Sequence, residues 1–301
     1  MSETCPEKVF LFVVFLNVAS RKGFDMKIKL YEFGPTRSIR VRWTLQELGV
    51  DFEPIRVNLL AGEHRRPDFL KINPAGKIPV LVDGDLVLTE SVAIVLYLAE
   101  KYAERGLLPR AVEERAQVNR WLLFAATELE QPLWRISRNT TLYPEEDRLP
   151  KDVSLAGRDF KEMAAVLEKH MQGRRFVAGD NATVADFVTA YTLDWGNEAK
   201  LLGDCPHLLA YMEQMYARPL APPRIAQAFA EISAEENPKR SRNRAVQLDD
   251  SQQIFHLSAR LQNFSKSWSV RRIRPYWQSS RLSITIIPPS CLDPFISTGR
   301  K

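Results

Sequence analysis

The alternation of apolar and polar positions in the first third of the chain predicts a small β-sheet. Strand-like segments run from residue 28 to 33, from 52 to 57 and from 78 to 82, and they are rich in residues that favour strands. An Asp-Gly pair at 83–84 has the composition of a tight hairpin turn. We therefore expect residues 86–88 to return antiparallel to the segment before them.

Helical patterns occupy the gaps between these strands. A Gly-Pro pair ends the first strand, and Thr36 or Ser38 can cap the helix that follows it, which Gly49 is placed to end. Two further helical patterns are present, a short one entered at Pro67 and an apolar one over residues 90–102. The predicted order is therefore βαβ, a short helix, and then ββα.

Beyond residue 110 the chain shows only helical periodicity. One long pattern covers residues 111–138 and a second covers roughly 153–171. Thr183 is followed three residues later by Asp186, which is the spacing of a capping box and predicts that a helix begins there. An all-helical region therefore follows the mixed region.

These patterns divide the chain into four segments. We expect an α/β domain over residues 26–105 and an all-α domain over residues 110–235. Residues 1–25 are interpreted as an N-terminal extension, since Met26 has the position of a natural start and the acidic leader is unlike a secretory signal. Residues 236–301 are interpreted as a basic, disordered tail, with a basic arm for anionic surfaces as the alternative.

The net charge of +5 comes from the tail and not from the body. Residues 237–301 hold 12 basic and 3 acidic side chains, whereas residues 1–236 hold 30 and 34. A mildly acidic body gives no reason to expect a nucleic-acid partner. The apolar run over residues 9–18 is too short to span a bilayer. Three scattered cysteines and four histidines, none spaced i, i+4, predict no metal site and fit a reducing cytoplasmic compartment.

Three short segments together resemble the N-terminal domain of the cytosolic glutathione transferases. They are Leu30 to Ser38, which contains Gly-Pro-Thr-Arg-Ser, Asn73 to Leu81, which contains Ile-Pro-Val-Leu, and Leu88 to Ile94, which contains Glu-Ser-Val-Ala-Ile. The resemblance extends over residues 26–235 and is to bacterial-type members with a serine or threonine corner. It implies a thioredoxin-like α/β N-terminal domain plus an all-α C-terminal domain, and a homodimer.

The resemblance also implies where glutathione, an anionic tripeptide with a free thiol, would bind. Ser91 and the free N–H groups of a helix start suit the γ-glutamyl carboxylate, and Glu90 suits its ammonium group. A cis peptide bond is implied before Pro79, which would let the backbone of Ile78 pair with the cysteinyl residue. Lys77 is a candidate partner for the glycine carboxylate. The same residues also suit structural roles as a helix cap, an edge-strand proline and a surface lysine.

The catalytic group is expected to be a hydroxyl at the corner after the first strand. A free thiol has a pKa of about 8.5, so a hydroxyl donor and a helix N-terminus would favour the thiolate. Thr36 falls where serine-type transferases place their hydroxyl, Ser38 is the second candidate, and Tyr31, inside the strand, is the third. The corner has no cysteine, which disfavours glutaredoxin-like chemistry. It shares only a serine and Arg-Val-Arg with maleylacetoacetate isomerases. Arg37 and Arg40 are candidates to contact an anionic substrate, with solvated helix arginines as the default interpretation.

The long helix supplies candidates for the second substrate site. Trp121 and Phe124 are predicted to line a pocket for the electrophile, with core packing as the alternative. The favoured function is a glutathione transferase that presents the thiolate to a small apolar electrophile, with glutathione as co-substrate and no metal. The alternatives are a glutathione-dependent isomerase of the maleylacetoacetate type and a non-catalytic binding or assembly module. We expect a homodimer and neither nucleic-acid nor membrane partners.

Overall fold

The computed structural model describes residues 27–236. The predicted N-terminal extension and the tail beyond residue 236 lie outside these residues. The described chain opens with a four-stranded sheet whose strands lie in the order β2-β1-β3-β4. The strands are β1 (Ile28–Glu32), β2 (Phe52–Arg56), β3 (Val80–Asp83) and β4 (Leu86–Leu88).

The sheet is mixed, because β1 has a parallel neighbour on one side and an antiparallel neighbour on the other. β1 and β2 are parallel and are joined by the helix α1 (Ser38–Leu48), whereas β3 pairs antiparallel with both β1 and β4. The third strand was predicted to begin at residue 78, but the ladder begins at Val80, which lies opposite Tyr31. Proline at position 79 has no N–H to donate to a ladder, which accounts for the later start.

Helices connect and follow the strands, and the described chain beyond β4 contains only helices and their connections. The α2 and α3 helices span Pro67–Ile72 and Ser91–Lys101. Beyond them lie α4 (Val112–Phe124), α5 (Glu130–Ser137), α6 (Pro150–Met171), α7 (Val184–Glu198), α8 (Pro206–Tyr216) and α9 (Ile225–Glu236). This arrangement confirms the predicted fold class, a thioredoxin-like α/β domain followed by an all-α domain. The exact domain boundaries stay a prediction.

The long helix predicted over residues 111–138 is interrupted. Between α4 and α5 the backbone adopts a π-helical stretch, Ala125–Leu129, and a second such stretch, Arg138–Leu142, follows α5. A π-helical stretch shifts the face that the following residues present, and such stretches are frequent at functional sites. Glu130 comes directly after the first of them.

The capping box at the start of α7 is confirmed. The backbone N–H of Thr183 donates to Oδ2 of Asp186 at 2.8 Å. The other carboxylate oxygen, Oδ1, accepts the backbone N–H of Val177 at 2.9 Å and the hydroxyl of Tyr211 at 2.9 Å. Asp186 is fully buried, and burial raises its pKa. It therefore connects the start of α7 to α8 and to the segment before α7.

The two domains share a continuous apolar core. Trp43 on α1 is fully buried and stacks on Phe187 of α7 at a centroid distance of 5.2 Å. Glu47, one turn further along α1, accepts two hydrogen bonds from the guanidinium of Arg218, at 2.6 and 2.7 Å. Among the described helices, none combines the length and the apolar character needed to cross a membrane.

Candidate active site

The predicted catalytic corner holds two hydroxyls in hydrogen-bond contact. The Thr36 hydroxyl donates to the carbonyl oxygen of Phe33 at 2.6 Å, and its Oγ1 lies 2.9 Å from Oγ of Ser38. The single hydroxyl proton of Thr36 is directed to the Phe33 carbonyl oxygen, so Ser38 is the donor of the second hydrogen bond. Thr36 is half-buried, whereas Ser38 is only 1% exposed. Thr36 is therefore the more accessible of the two hydroxyl residues.

The helix cap at this corner differs from the expectation. Arg37 occupies the N-cap of α1 and makes no side-chain capping bond. Thr36 stands one residue earlier, and its Oγ1 accepts the backbone N–H of Ser38 at 3.3 Å. The hydroxyl of Thr36 thus satisfies part of the helix start and remains beside its free N–H groups.

Tyr31, the third candidate, lies on β1 and packs into the sheet. Its ring meets that of Phe69 edge-on at 6.1 Å, within a cluster that includes Val57 and Val80. These contacts are those of a packing residue, as its place inside the strand suggested.

A compact turn sets up the predicted glutathione-binding loop. The side-chain amide of Asn73 donates to the carbonyl of Lys77 at 2.6 Å, and its oxygen accepts the N–H of Ala75 at 3.1 Å. Gly76 follows with φ of +61°, and a Cβ built there would lie 2.9 Å from Nη1 of Arg65. Glycine is therefore required at this position. The turn leaves Lys77 exposed and places the Arg65 guanidinium against Gly76, the residue before it.

The peptide bond between Ile78 and Pro79 is cis, which confirms the expectation drawn from the resemblance. In the part of the chain that the structure describes, the backbone of Ile78 makes no hydrogen bond. Its N–H and carbonyl groups are therefore available to the backbone of a bound peptide.

The start of α3 carries a backbone outlier at the predicted γ-glutamyl site. Glu90, which is exposed, has φ of +64° and ψ of +106°, a conformation that costs a non-glycine residue roughly 1–3 kcal/mol. Ser91, the first residue of α3, is buried. Strain of this kind is concentrated at functional sites. Here it lies at the N-cap of α3, directly before the N–H groups that have no partner within the helix.

The helical domain contributes one carboxylate to the corner. Glu130, at the start of α5, accepts hydrogen bonds from Nε of Arg37 and from Nη2 of Arg40. Burial alone would raise the pKa of Glu130, but the charges and hydrogen bonds of the two arginines hold it below its usual range. The carboxylate is therefore ionised and joins the corner to the second domain.

Aromatic rings complete this side of the corner. The guanidinium carbon of Arg37 lies 4.9 Å from the ring centroid of Trp134 and 5.8 Å from that of Trp195. Arg40 lies 5.1 Å from the ring of Tyr191, whose pKa is raised by burial, so its phenol stays neutral. The rings in contact with the corner arginines thus come from α5 and α7.

Trp121 and Phe124 lie elsewhere. Trp121 is only 3% exposed, stacks on His170 of α6 at 3.9 Å and meets Phe124 at 5.3 Å. Neither ring is among the contacts of the corner arginines, so their role in an electrophile pocket stays a prediction. Glu130 and Trp134 were not predicted as a pair from the sequence, although a spacing of four residues places both on one helix face.

Comparisons with known proteins agree with this geometry. The sequence model described as "Glutathione S-transferase, N-terminal domain" matches residues 26–100, and the one described as "Glutathione S-transferase, C-terminal domain" matches residues 139–219. Among the described residues, no group of three or more His, Cys, Asp or Glu side chains could hold a metal ion.

Two curated relatives and a solved structure illustrate the similarity. Glutathione S-transferase F10 of Arabidopsis thaliana is 37% identical over 64% of this chain and 89% of its own length. A zeta-class glutathione S-transferase of Euphorbia esula is 39% identical over 53% of this chain and 72% of its own. The glutathione transferase URE2P6 of Phanerochaete chrysosporium, solved with oxidized glutathione, is 27% identical over 69% of this chain and 96% of its own, with a TM-score of 0.59. The chain belongs to the glutathione S-transferase family.

Proposed function

We propose that this protein is a glutathione transferase of the serine/threonine-corner type. The proposal rests on two segments that the β3–β4 hairpin brings to the same end of the sheet. The hairpin joins the unpaired backbone of Ile78 to the strained helix start at Glu90 and Ser91. One segment suits the backbone of an extended peptide, and the other suits a carboxylate with an adjacent ammonium group.

The ends of glutathione are assigned to opposite sides of this hairpin. Ser91 and the first N–H groups of α3 bind the γ-glutamyl carboxylate, and Glu90 binds its ammonium group. Lys77 binds the glycine carboxylate, and Arg65, whose guanidinium lies against Gly76, is a second cation for that group. The fungal relative solved with oxidized glutathione supports a glutathione site on this fold.

Thr36 is the residue proposed to activate the thiol. When glutathione is bound, the Thr36 hydroxyl turns from the Phe33 carbonyl to the sulfur, while Ser38 continues to donate to Thr36 Oγ1. Donation to sulfur and the N-terminus of α1 favour the thiolate, and the thiol proton leaves to solvent. The sulfur then forms a bond to the electrophilic carbon, and the leaving group departs with the electron pair.

The remaining assignments are proposals that follow from the family. The second substrate is a small, predominantly apolar electrophile, the protein is a homodimer, and it acts in the cytoplasm. The domain limits of 26–105 and 110–235 are retained. Membership of a bacterial-type subclass stays a prediction.

Two measurements on the purified full chain test the proposal. We expect retention on immobilised glutathione and turnover of chlorodinitrobenzene. Ser91→Ala should weaken glutathione binding about tenfold, because a hydrogen bond to a charged group is worth about 1.5–3 kcal/mol. Ser154→Ala, which removes an exposed hydroxyl on α6, is the matched control and should change neither measurement.

The alternatives have distinct outcomes. Retention without turnover of any electrophile would indicate a binding or assembly module. Isomerisation of a maleylacetoacetate-type substrate without conjugation would indicate the isomerase. Absence of retention would contradict the glutathione site itself.

A further inference from the structure

The charges at the corner do not balance. Two guanidinium groups, those of Arg37 and Arg40, share the single carboxylate of Glu130. Each oxygen of that carboxylate already accepts one of the two arginines. Arg40 is 1% exposed, and its Nε is buried with no acceptor among the described residues. The side chains of Arg37, Arg40 and Glu130 therefore carry one net positive charge together, while Asp194, whose charge also acts on Tyr191, is paired with Arg224.

That excess charge reaches solvent at Arg37. Its side chain is 30% exposed, and Nε is the nitrogen that it uses for Glu130. Within the described part of the chain, neither Nη group of Arg37 donates to an acceptor. By contrast, Arg135 and Arg224 each use all three guanidinium nitrogens, as donors to acidic side chains and, for Arg224, to a methionine sulfur.

The Arg37 guanidinium is also held in place. Its Nε is fixed by a buried carboxylate, and its guanidinium carbon lies over the rings of Trp134 and Trp195, 4.9 and 5.8 Å from their centroids. A guanidinium that is fixed at Nε presents its two Nη groups as a planar fork, which matches a carboxylate with two parallel hydrogen bonds. Arg37 directly follows Thr36 in the chain, so its Cα atom lies about 3.8 Å from that of the residue with the proposed catalytic hydroxyl.

We propose that Arg37, Trp134 and Trp195 form a subsite that binds the carboxylate of an aromatic, acidic electrophile. We name these three residues the Arg37 subsite. The guanidinium binds the carboxylate, and the indole rings contact the aromatic ring that bears it. The inference rests on the proposed function, and it specifies the substrate class that a wholly apolar pocket would not select. The carboxylates of glutathione are assigned to the hairpin, so the subsite is left for the second substrate.

Two chlorinated probes of nearly equal shape test this subsite. In 4-chloro-3,5-dinitrobenzoate and 4-chloro-3,5-dinitrobenzamide, the glutathione sulfur forms a bond to the ring carbon and chloride leaves with the bonding electrons. We expect the full-length protein to prefer the benzoate by about tenfold or more in kcat/KM, after division by the uncatalysed rates. The preference should lie mainly in KM and should decrease as salt is added.

Variants assign the preference to one side chain. Arg37→Gln should reduce the benzoate-to-benzamide ratio about tenfold, and Arg37→Lys, which keeps the charge but not the fork, should retain part of it. Arg175→Gln is the matched control, because the Arg175 guanidinium also lies over an aromatic ring, that of Phe176, but it is exposed on the segment between α6 and α7. This control should leave the ratio unchanged.

An inhibition measurement covers the case in which Arg37→Gln does not fold. The unreactive 3,5-dinitrobenzoate should inhibit the wild-type protein more strongly than 3,5-dinitrobenzamide, and it should compete with the electrophile. Competition with glutathione instead, or equal inhibition by both compounds, overturns the subsite. So does turnover of the benzamide with no benzoate preference, a result that leaves the proposed transferase function intact. Failure to turn over either probe together with failure to bind glutathione contradicts the transferase function itself.

Discussion

Replacing the Thr36 hydroxyl by a methyl group, in Thr36→Val, should raise the pKa of the bound glutathione thiol. Thr36 is half-buried at the start of α1, and its hydroxyl is the outer member of the pair that it forms with Ser38. Valine has nearly the same shape as threonine, so the change keeps the volume of the corner while it removes the donor to sulfur and the acceptor that Ser38 uses. The methyl group of threonine, which is absent from serine, can be tested separately with Thr36→Ser, which should keep the thiol pKa low.

The size of the effect follows from the hydrogen bonds at the corner. A hydrogen bond to an anion is worth about 1.5–3 kcal/mol, and about 1.4 kcal/mol corresponds to one pKa unit. Thr36→Val should therefore raise the thiol pKa by roughly 1–2 units. Ser38 is 1% exposed and donates to Thr36 rather than to a ligand. Ser38→Ala should produce a smaller rise, because it removes only the support of the donor.

The assay is an ultraviolet titration of the thiolate in the saturated glutathione complex of each variant. Turnover measured across the same pH range gives an independent midpoint, and Tyr31→Phe is a control that should leave both midpoints in place. A full rise in Ser38→Ala with none in Thr36→Val would show that the buried hydroxyl contacts the sulfur. An unchanged thiol pKa in both variants would refute activation by this corner altogether.

Three predictions concern stability. Burial raises the pKa of Glu130 and the two arginines lower it, and the net effect is a lowering. The folding stability that Glu130 contributes is therefore complete above its unfolded pKa of about 4.3 and is lost as the pH falls through the lower folded pKa. Glu130→Gln should thus cost about 3 kcal/mol near neutral pH in urea unfolding, and the difference should shrink in acid; a pH-independent difference would contradict the ion pair. Thr183→Ala should cost roughly 1 kcal/mol through the lost cap while leaving the thiol pKa unchanged. Gly196→Ala should cost about 1–3 kcal/mol in thermal unfolding, because the new Cβ would overlap the ring of the fully buried Phe160; an equal or higher melting temperature would show that the ring can move.

Local signals carried much of the fold from the sequence. The Asp-Gly pair at 83–84 predicted the hairpin between β3 and β4, and the Thr183–Asp186 spacing predicted the start of α7. Both features depend on residues within a few positions of each other, so the sequence contains the full cause. The cis bond before Pro79 was expected only from resemblance, because few X–Pro bonds are cis and composition does not identify them.

The contacts of the corner were not predictable in the same way. Glu130 lies 93 residues from Arg37 and 90 from Arg40, and a helical period gives no information about a partner at that separation. The period also assumed an uninterrupted helix over residues 111–138. One added residue rotates the following face by about 100°, so the π-helical stretch Ala125–Leu129 changes the face that Glu130 and Trp134 present, and the uninterrupted pattern placed neither of them beside Arg37.

The α1 helix connects the helical domain to the candidate site, which lies in the first domain. Each of its turns is attached to the second domain, beginning with the arginines bound to Glu130 and continuing with Ile39 packed on Tyr191. Trp43 then stacks on Phe187, and Glu47, which also accepts the Trp43 indole N–H at 3.1 Å, pairs with Arg218.

A helix fixed at successive turns cannot shift or rotate without breaking packed contacts in a dense core. The position of the Thr36 hydroxyl is therefore set by residues of both domains, whereas the proposed glutathione contacts at Ile78, Glu90 and Ser91 lie next to the β3–β4 hairpin of the first domain. Substitutions of the α5 and α7 side chains that contact Arg37 and Arg40 should consequently alter the electrophile preference and the thiol pKa, while changes in the β3–β4 hairpin should alter glutathione affinity. If the sheet alone held α1 and the corner in place, substitutions in the helical domain would leave the thiol pKa unchanged.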